Sequence, residues 1–278
     1  MSVEVAPGVY VMTSRRFATT STVIAAGRQA LVIDPAWDED ELASVASLLS
    51  AQGLECVAGL ATHEHYDHVL WHPDLPDVPR YAAPWACERL SPTGPARHEV
   101  LAPLIGDLPE DLMAIAGLLT PIPGATRPAS AVPGRPYPRS TTLPEAIELH
   151  WSTREVIVHE HDAHVRGHLA VELVDAGVLV AGDMLSDVEI PYPDLDDPDL
   201  SAYLVGLDRL ADAVRRSRVL IPGHGTPTDD PMSRLDADRR YLDAILAGRE
   251  VEDPRLAHDG MAELHAANVE RARATSVG

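Results

Sequence analysis

Three histidines and one aspartate lie within six consecutive residues of the segment THEHYDH, residues 62–68. They are His63, His65, Asp67 and His68. Imidazoles and carboxylates are ligands of transition metals, and alternate residues of an extended segment point the same way. His63 and His65 can therefore face one metal ion, while Asp67 and His68, where the chain turns, can face a second. Since a single ion cannot easily use all four side chains, the segment predicts a site for two metal ions.

Two ions need more ligands, and the sequence offers three at the ends of predicted strands. These are His164, Asp183 in LVAGDML and His224 in IPGHG. Strand ends on one edge of a sandwich converge in space, as a site built from several segments requires. Asp183 is predicted to contact both ions, because the two oxygens of one carboxylate can bind two cations.

The third histidine of the first ion has competitors, since four histidines lie between residues 159 and 168. His159 and His161 share one face of an extended segment and could act as a pair. His164 is the favoured ligand, because it lies in a loop from which it can reach past the sheet edge. His168 is expected to form a hydrogen bond to a ligand or a loop rather than to bind metal.

The elements that must position these ligands begin with short strands. Runs of β-branched and apolar residues predict strands at 9–14, 21–26, 30–36 and 56–63. A helix is expected from about Asp38 to Gln52, with Asp38 as its N-cap and Gly53 as its stop signal. A strand, helix, strand order favours a layered α/β architecture.

Residues 91–142 differ in composition from the rest of the sequence, because they contain ten prolines. That density is incompatible with a regular sheet and leaves room only for short helices, such as one at 110–119. We predict an insertion or lid that packs over the metal site, since long ordered loops are usually functional.

The second half returns to strands. They are expected at 146–151, at 155–160, in a hairpin over 168–183 that turns at 175–177, and at 217–225. A helix at 199–216 is indicated by apolar residues on one face, and residues 229–278 are expected to form C-terminal helices at about 231–247 and 259–274. The whole chain, 1–278, is predicted to be a single domain.

Composition narrows the classes of partner. A formal net charge of −21 repels polyanions, so neither a nucleic acid nor an anionic membrane is an expected partner. The sequence lacks a long apolar run and a secretory leader, and a cytoplasmic location is therefore the expectation. Cys56 and Cys87 are predicted to be reduced, buried thiols. The sequence leaves the oligomeric state open, with a homodimer as one alternative.

The order of these motifs resembles the metallo-β-lactamase-fold hydrolase superfamily, whose signature is H-x-H-x-D-H. The resemblance covers roughly residues 5–228 and implies an α/β fold, a four-layer αβ/βα sandwich with a dinuclear zinc site at its edge. It assigns one set of three ligands to each ion and a bridging role to Asp183. The first set is His63, His65 and His164, and the second is Asp67, His68 and His224.

The resemblance also suggests residues around the ligands. Asp34 in LVIDPA corresponds to an early-strand aspartate that supports ligands without binding metal, and His168 completes an H-x-x-x-H pattern with His164. Trp71 stands near positions where family members often carry glycines, so it is expected to be a bulky wall of the pocket. Tyr192, in the loop 185–198, is a second expected wall.

The predicted activity is hydrolysis of a small ester, thioester or lactone by hydroxide shared between two zinc ions. Asp67 and Asp183 are the predicted catalytic residues, with Asp67 also orienting the hydroxide. Three alternatives remain open: iron or manganese in place of zinc, a mononuclear iron oxidoreductase of the persulfide dioxygenase type, and a β-lactam hydrolase.

Overall fold

The computed structural model describes residues 2–94, 96–123, 147–151, 154–193 and 200–275. Within them, seven strands form a first sheet in sequence order. These are β1 (Ser2–Ala6), β2 (Val9–Thr13), β3 (Thr20–Ala26), β4 (Gln29–Ile33), β5 (Glu55–Leu60), β6 (Arg80–Ala82) and β7 (Thr120–Pro121). The strands β1 to β4 form an antiparallel meander, whereas β4 to β7 pair in parallel.

A second sheet contains five strands in the described part of the chain. They are β8 (Ile147–Trp151), β9 (Arg154–His161), β10 (His168–Leu173), β11 (Val178–Gly182) and β12 (Val219–Pro222). Their order is β12-β11-β10-β9-β8, antiparallel except for the parallel pair β11 and β12. The predicted hairpin is confirmed, and Gly177 at its turn has a φ of 61°.

Helices cover the outer faces of the two sheets. They are α1 (Glu39–Gln52), α2 (Pro84–Arg89), α3 (Arg97–Leu101), α4 (Glu110–Ile115), α5 (Leu200–Arg216), α6 (Pro231–Leu246) and α7 (Met261–Thr275). Helix α1 packs on the first sheet, and α5 to α7 share a core on the second. A further apolar core, including Ile33 and Val171, fills the space between the sheets. The predicted αβ/βα sandwich is therefore confirmed.

Local sequence explains why α1 begins and ends where it does. Asp38 is its N-cap in an extended conformation, and the side chains of Asp38 and Glu41 form a reciprocal capping box. Gly53 ends the helix at φ 64°, where its N–H bonds to the carbonyls of Leu49 and Ser50. Such a left-handed C-cap favours glycine because glycine has no Cβ to clash. The connection from β4 to β5 is fixed by these two ends.

The proline-rich segment contributes to the core where it is described. Leu101, Leu104 and Leu112 are buried in one apolar cluster with Leu70, which follows the histidine motif. Strand β7 lies at the sheet edge, where Pro121 is tolerated. Residues 124–142 lie outside the described residues, so the lid over the metal site stays a prediction.

Other features agree with or add to the sequence analysis. Both cysteines are free; Cys56 is buried as predicted, whereas Cys87 is only partly buried, and burial raises their pKa values to about 11 and about 12, respectively. None of the helices in the described ranges combines the length and apolar character of a membrane span. Strands β1, β6 and β7 and helix α2 were not expected from the sequence pattern, and β7 lies in the proline-rich segment for which a sheet had been excluded.

Trp71 occupies a different place from the expected pocket wall. It is 5% exposed and lies in the apolar cluster beneath α1, together with Val23 and Leu48. A Cβ on Gly59 would approach its ring to 2.7 Å, and the guanidinium of Arg80 lies 5.5 Å from the ring centroid. The side chain of Trp71 therefore fills the core on the outer side of the first sheet and does not border the ligands.

Replacing Trp71 with alanine should destabilise the fold without emptying the metal site. Loss of a buried tryptophan costs about 3 to 5 kcal/mol in the free energy of unfolding. Urea denaturation and metal analysis of Trp71→Ala would measure both effects, with Val205→Ala as a matched change at an exposed apolar position. A folded Trp71→Ala protein with reduced metal content and unchanged stability would restore the pocket-wall assignment.

Candidate metal centre

The seven predicted ligands meet at one edge of the sandwich, where four strands end. The motif 62–68 follows β5, and the loop carrying His164 follows β9. Asp183 directly follows β11, and His224 follows β12 by two residues. Since β11 and β12 run in parallel, their ends deliver Asp183 and His224 side by side. The topology thus brings together residues that are up to 161 positions apart, from His63 to His224.

The first ligand set consists of His63, His65, His164 and Asp183, whose donor atoms all lie within 4.8 Å of one another. His164 Nε2 lies 3.1 Å from His65 Nδ1. Asp183 Oδ2 lies 3.4 Å from His63 Nε2 and 3.4 Å from His164 Nε2. His164 is therefore the histidine of the 159–168 group that joins this set.

The second set consists of Asp67, His68 and His224, all buried. His68 Nε2 and His224 Nε2 are 3.3 Å apart. Asp67 Oδ2 lies 3.3 Å from His224 Nε2 and 3.5 Å from His68 Nε2. The hydroxyl of Thr19 donates to Asp67 Oδ2 at 3.4 Å and holds that carboxylate against the set.

Asp183 lies between the two sets. Its Oδ2 also lies 3.3 Å from His224 Nε2, and its Oδ1 lies 3.1 Å from His68 Nε2. The carboxylate thus contacts imidazoles of both sets, as a bridging ligand must. Burial opposes its ionisation, yet the imidazoles of His68, His224 and His63 hold the pKa of Asp183 well below its usual range.

The donor atoms fit metal ions. Zinc bonds of about 2.0 to 2.1 Å in a tetrahedron place ligand atoms about 3.3 Å apart, which matches the separations of 3.1 to 3.5 Å within each set. His63 Nε2 and Asp183 Oδ1 are buried and have no hydrogen-bond partner, as expected of atoms whose partner is a cation. In the described chain, the ion pairs of Asp67 and Asp183 are all with histidines.

Asp34 supports one histidine of each set. Its Oδ2 accepts hydrogen bonds from His68 Nδ1 at 3.0 Å and from the Thr62 hydroxyl at 2.6 Å. The Thr62 oxygen lies 3.0 Å from His63 Nδ1 and can accept its proton, while Thr62 N–H donates to Asp34 Oδ1. The Nδ1 protons of both histidines therefore point away from the site, and the Nε2 lone pairs point into it.

Backbone carbonyls fix the two remaining Nε2 ligands. His164 Nδ1 donates to the carbonyl of Tyr192 at 2.6 Å, and His224 Nδ1 donates to that of Phe17 at 2.9 Å. These bonds leave each Nε2 free to bind a cation. The ring of Tyr192 lies 5.8 Å from the ring of His164, beside the first set.

The other histidines of the 159–168 group lie outside both sets. His168 Nε2 accepts the N–H of Asp183 at 3.1 Å, so it positions the backbone of that ligand. His159 Nε2 is hydrogen-bonded to Glu172 at 2.8 Å, and His161 stacks against His168 with centroids 4.8 Å apart. Burial lowers the pKa of His161 to about 3 and that of His168 well below its ordinary value, so both rings are neutral.

Two ligand histidines are cationic in the metal-free protein. Burial lowers the pKa of His224, but nearby carboxylates, led by Asp183 and Glu189, outweigh it and raise the value to about 10. Burial is likewise outweighed at His68, where Asp183 and Asp67 raise the pKa well above its ordinary value. The site therefore gathers more negative charge than its neutral histidines can balance, which favours binding of cations.

Sequence reasoning missed Glu189 and Phe17. Glu189 Oε1 lies 4.0 Å from His224 Nδ1, and its carboxylate groups with Asp183 and His224 as a third possible set of ligands. Phe17 is 63% exposed at φ 53°, next to the second set. Neither residue belongs to a spacing pattern, although Phe17 is the only phenylalanine in the sequence.

A buried clamp holds the loop that carries Glu189. Arg255 Nη1 donates to the carbonyls of Ser186 at 3.1 Å and Glu189 at 3.0 Å, and it pairs with Asp238 at 2.5 Å. The Ser186 hydroxyl donates to the His224 carbonyl at 2.7 Å and accepts the Glu189 N–H at 3.0 Å. The loop after Asp183 and the loop of His224 are thus tied together.

Comparisons with known proteins agree with this fold. The family model described as Metallo-beta-lactamase superfamily matches residues 14–251. None of the curated proteins compared with the chain matches it significantly.

Several solved structures share the fold. A metallo-beta-lactamase from Hirschia baltica is 15% identical, with 87% of this chain and 96% of that chain covered and a TM-score of 0.55. One from Pontibacter korlensis is 14% identical, with 87% and 98% covered and a TM-score of 0.56. A third, from Erythrobacter litoralis, is 17% identical, with 86% and 96% covered and a TM-score of 0.56.

Removing the charge of Asp34 should weaken both metal sites. Because Asp34 orients His68 directly and His63 through Thr62, we expect Asp34→Asn to lower the affinity for each ion about 10- to 100-fold. Thr62→Val should weaken mainly the ion bound by His63. Competition with a chromogenic chelator would measure both affinities. Equal losses at both ions in Thr62→Val, or no loss in Asp34→Asn, would show that Asp34 and Thr62 do not orient the two histidines in this way.

In the metal-free protein, the His224 imidazole should titrate near pH 10, as followed by its NMR resonances. Protonation of His224 then stabilises the metal-free fold. This contribution to the free energy of unfolding is complete at pH values below the ordinary histidine pKa of about 6.5, and it is lost as the pH rises through the folded-state pKa of about 10. Asp183→Asn should move the titration back toward neutrality, since Asp183 is the main charge that raises it. A His224 that titrates normally in the unsubstituted protein would contradict the charge balance described above.

Proposed function

We propose that this chain is a hydrolase that uses two metal ions. The proposal starts from the family, because the chain belongs to the metallo-beta-lactamase superfamily. Members of this superfamily are mostly metal-dependent hydrolases. The observation that carries the proposal is the placement of Asp183 between two sets of ligands, with contacts to imidazoles of each. A site for a single ion has no need of a second set.

The two sets would hold zinc ions through nitrogen and carboxylate oxygen donors. One ion would be held by His63, His65 and His164, and the other by Asp67, His68 and His224. Asp183 would contact both ions. When bound, such ions supply a nucleophile at neutral pH by lowering the pKa of coordinated water, and they polarise a scissile carbonyl group.

The residues of the chain itself would position and enclose the reactants. Asp67, steadied by Thr19, can accept a hydrogen bond from the attacking water and so orient it. Asp34 keeps the Nε2 atoms of two ligands facing the reactants. These supports are buried and their hydrogen bonds are already made, so little reorganisation is needed during the reaction.

Aromatic residues near the ligands bear on the size of the substrate. Trp37, which is 2% exposed, lies between Phe17 and Tyr66, with ring centroids 6.1 Å and 5.5 Å away. Tyr66 stands inside the histidine motif, so this aromatic group borders the ligands. Together with Tyr192, these residues support the proposal of a small ester, thioester or lactone as substrate.

The chain's acidity also bears on the substrate. A net charge of −21 disfavours nucleic acids as substrates or partners, because the surface field repels polyanions. A small molecule is therefore the proposed partner. Two of the similar solved structures are named metallo-beta-lactamases, which makes a β-lactam the main competing substrate.

Metal analysis combined with a substrate panel tests this proposal. We expect two zinc ions per chain and chelator-sensitive hydrolysis of an ester, thioester or lactone, with slower turnover of β-lactams and phosphodiesters. Asp183→Ala should lower both metal content and kcat/KM, whereas Asp212→Ala, at an exposed position on α5, should change neither. One iron per chain with oxygen consumption, or full retention of two metals in Asp183→Ala, would contradict the proposal.

A further inference from the structure

Helix α7 lies beyond residues 14–251, which the family model matches. It packs on α5 and α6 through the apolar core outside the second sheet. Its buried face includes a polar residue, Asn268, which is 0% exposed. A polar side chain in an apolar interior needs hydrogen-bond partners, because burial without them costs free energy. The partners of Asn268 therefore indicate what this helix does besides packing.

Both polar atoms of the Asn268 amide are hydrogen-bonded. Nδ2 donates to the carbonyl of Pro191 at 2.8 Å and to the hydroxyl of Tyr241 at 3.2 Å. Oδ1 accepts from Arg271 Nη1 at 2.9 Å. The Tyr241 hydroxyl in turn lies 3.1 Å from Nδ1 of His265, one turn earlier on α7. This buried network holds the amide in one orientation and ties α7 to the Pro191 carbonyl.

The residue after Pro191 holds a metal ligand. The carbonyl of Tyr192 accepts the Nδ1 proton of His164 at 2.6 Å, which leaves His164 Nε2 to face the first set. The carbonyl held by Asn268 belongs to the peptide group just before Tyr192. Because a peptide group is planar, only the φ and ψ torsions of Tyr192 separate that carbonyl from the one that orients His164.

Two prolines restrict this short connection. Pro191 and Pro193 flank Tyr192 in the segment IPYP, residues 190–193, and both are buried. A proline disfavours the helical region for the residue before it, so Pro193 restricts Tyr192 to extended conformations. Ile190, at the start of the segment, packs in the same core as α7. The segment therefore acts as a stiff link between the Asn268 amide and the His164 imidazole.

The link reaches one ligand set, because other groups orient the histidines of the second set. The carbonyl of Phe17 accepts the Nδ1 proton of His224. The carboxylate of Asp34 accepts that of His68. These supports come from the first 34 residues of the chain, whereas Asn268 acts from the C-terminal helix.

The earlier part of the same loop has its own support. Arg255 Nη1 donates to the carbonyls of Ser186 and Glu189. Loss of the bond from Asn268 should therefore free the backbone around Tyr192 and leave the residues before Ile190 in place.

We propose that Asn268 is a positioning residue of the metal centre. It orients His164 through the Pro191–Tyr192 backbone and so sets the affinity for the first ion, the one that His63, His65 and His164 would bind. This inference rests on the two-ion centre of the proposed function and adds to it a residue of α7. A role of Asn268 in the stability of the fold alone would not distinguish between the two ions.

Asn268→Asp removes the hydrogen-bond donor and nearly preserves the shape of the side chain. One carboxylate oxygen can still accept from Arg271, but the other faces the Pro191 carbonyl and cannot donate to it. We expect the affinity for the first ion to fall about tenfold, at the lower end of the loss typical of groups that orient a ligand. The affinity for the second ion should stay unchanged. Competition with a chromogenic chelator measures both affinities.

Cadmium-113 NMR of the cadmium-loaded protein identifies which ion is affected. Each bound cadmium ion gives its own resonance, and couplings to the imidazole protons of its ligands assign that resonance. Asn268→Asp should shift or broaden the resonance of the ion bound by His164 and leave the other in place. Val269→Ala is the matched control, since it removes an apolar contact of the same helix with the core and no hydrogen bond. It should leave both resonances and both affinities unchanged.

Pro193→Ala tests the link independently, and it keeps the inference testable if Asn268→Asp does not fold. Alanine at position 193 releases Tyr192 from its restriction to extended conformations without changing α7. The first ion should again be the one that binds more weakly. Unchanged affinity for the first ion in the folded variants, an equal loss at both ions, or the same loss in Val269→Ala would overturn the inference.

Metal binding separates failure of this inference from failure of the hydrolase proposal, because its measurement needs no substrate. If Asn268→Asp weakens only the first ion and no ester, thioester or lactone is cleaved, the hydrolase proposal fails and the positioning role stands. If such a substrate is cleaved and Asn268→Asp leaves the affinity for the first ion unchanged, the positioning role fails and the hydrolase proposal stands.

Discussion

The buried carboxylate of Asp183 is the interaction on which the rest of the centre depends. Its two oxygens touch imidazoles of both ligand sets, so the positions of four histidines are set relative to one side chain. The surrounding backbone has to leave room for the Asp183 side chain. A Cβ on Gly223 would collide with the Asp183 side chain, and one on Gly182 would collide with the imidazole of His168. Glycine at both strand ends is therefore a steric requirement.

The two sheets and the C-terminal helices serve this arrangement in different ways. Parallel pairing of β11 with β12 brings Asp183 beside His224, while β5 delivers the histidine motif from the other sheet. The helical region after residue 229 adds Arg255 and Asp238. Arg255 holds the carbonyls of Ser186 and Glu189, and Asp238 accepts the N–H of Leu185, which sits at φ 61°. A region predicted only as helices thus fixes a loop of the site.

The sequence was sufficient to predict most of the fold and to choose the ligands that the structure brings together. Strand ends, helix caps and the H-x-H-x-D-H spacing are local signals, and α1, α5 and the 168–183 hairpin lie close to their predicted places. Other features depend on long-range packing. Trp71 follows the motif, but its packing against Val23 and Leu48, which are distant in sequence, places it in the core. Glu189 is one of 43 acidic residues, and no spacing distinguishes it from the others.

Anomalous diffraction from crystals of the zinc-loaded protein, collected on both sides of the zinc absorption edge, tests the central claim most directly. Two zinc peaks are expected. One would be bound by His63, His65 and His164, the other by the set that contains His68 and His224, and Asp183 would contact both. A single zinc peak, or two peaks with Asp183 bound to only one of them, would contradict it.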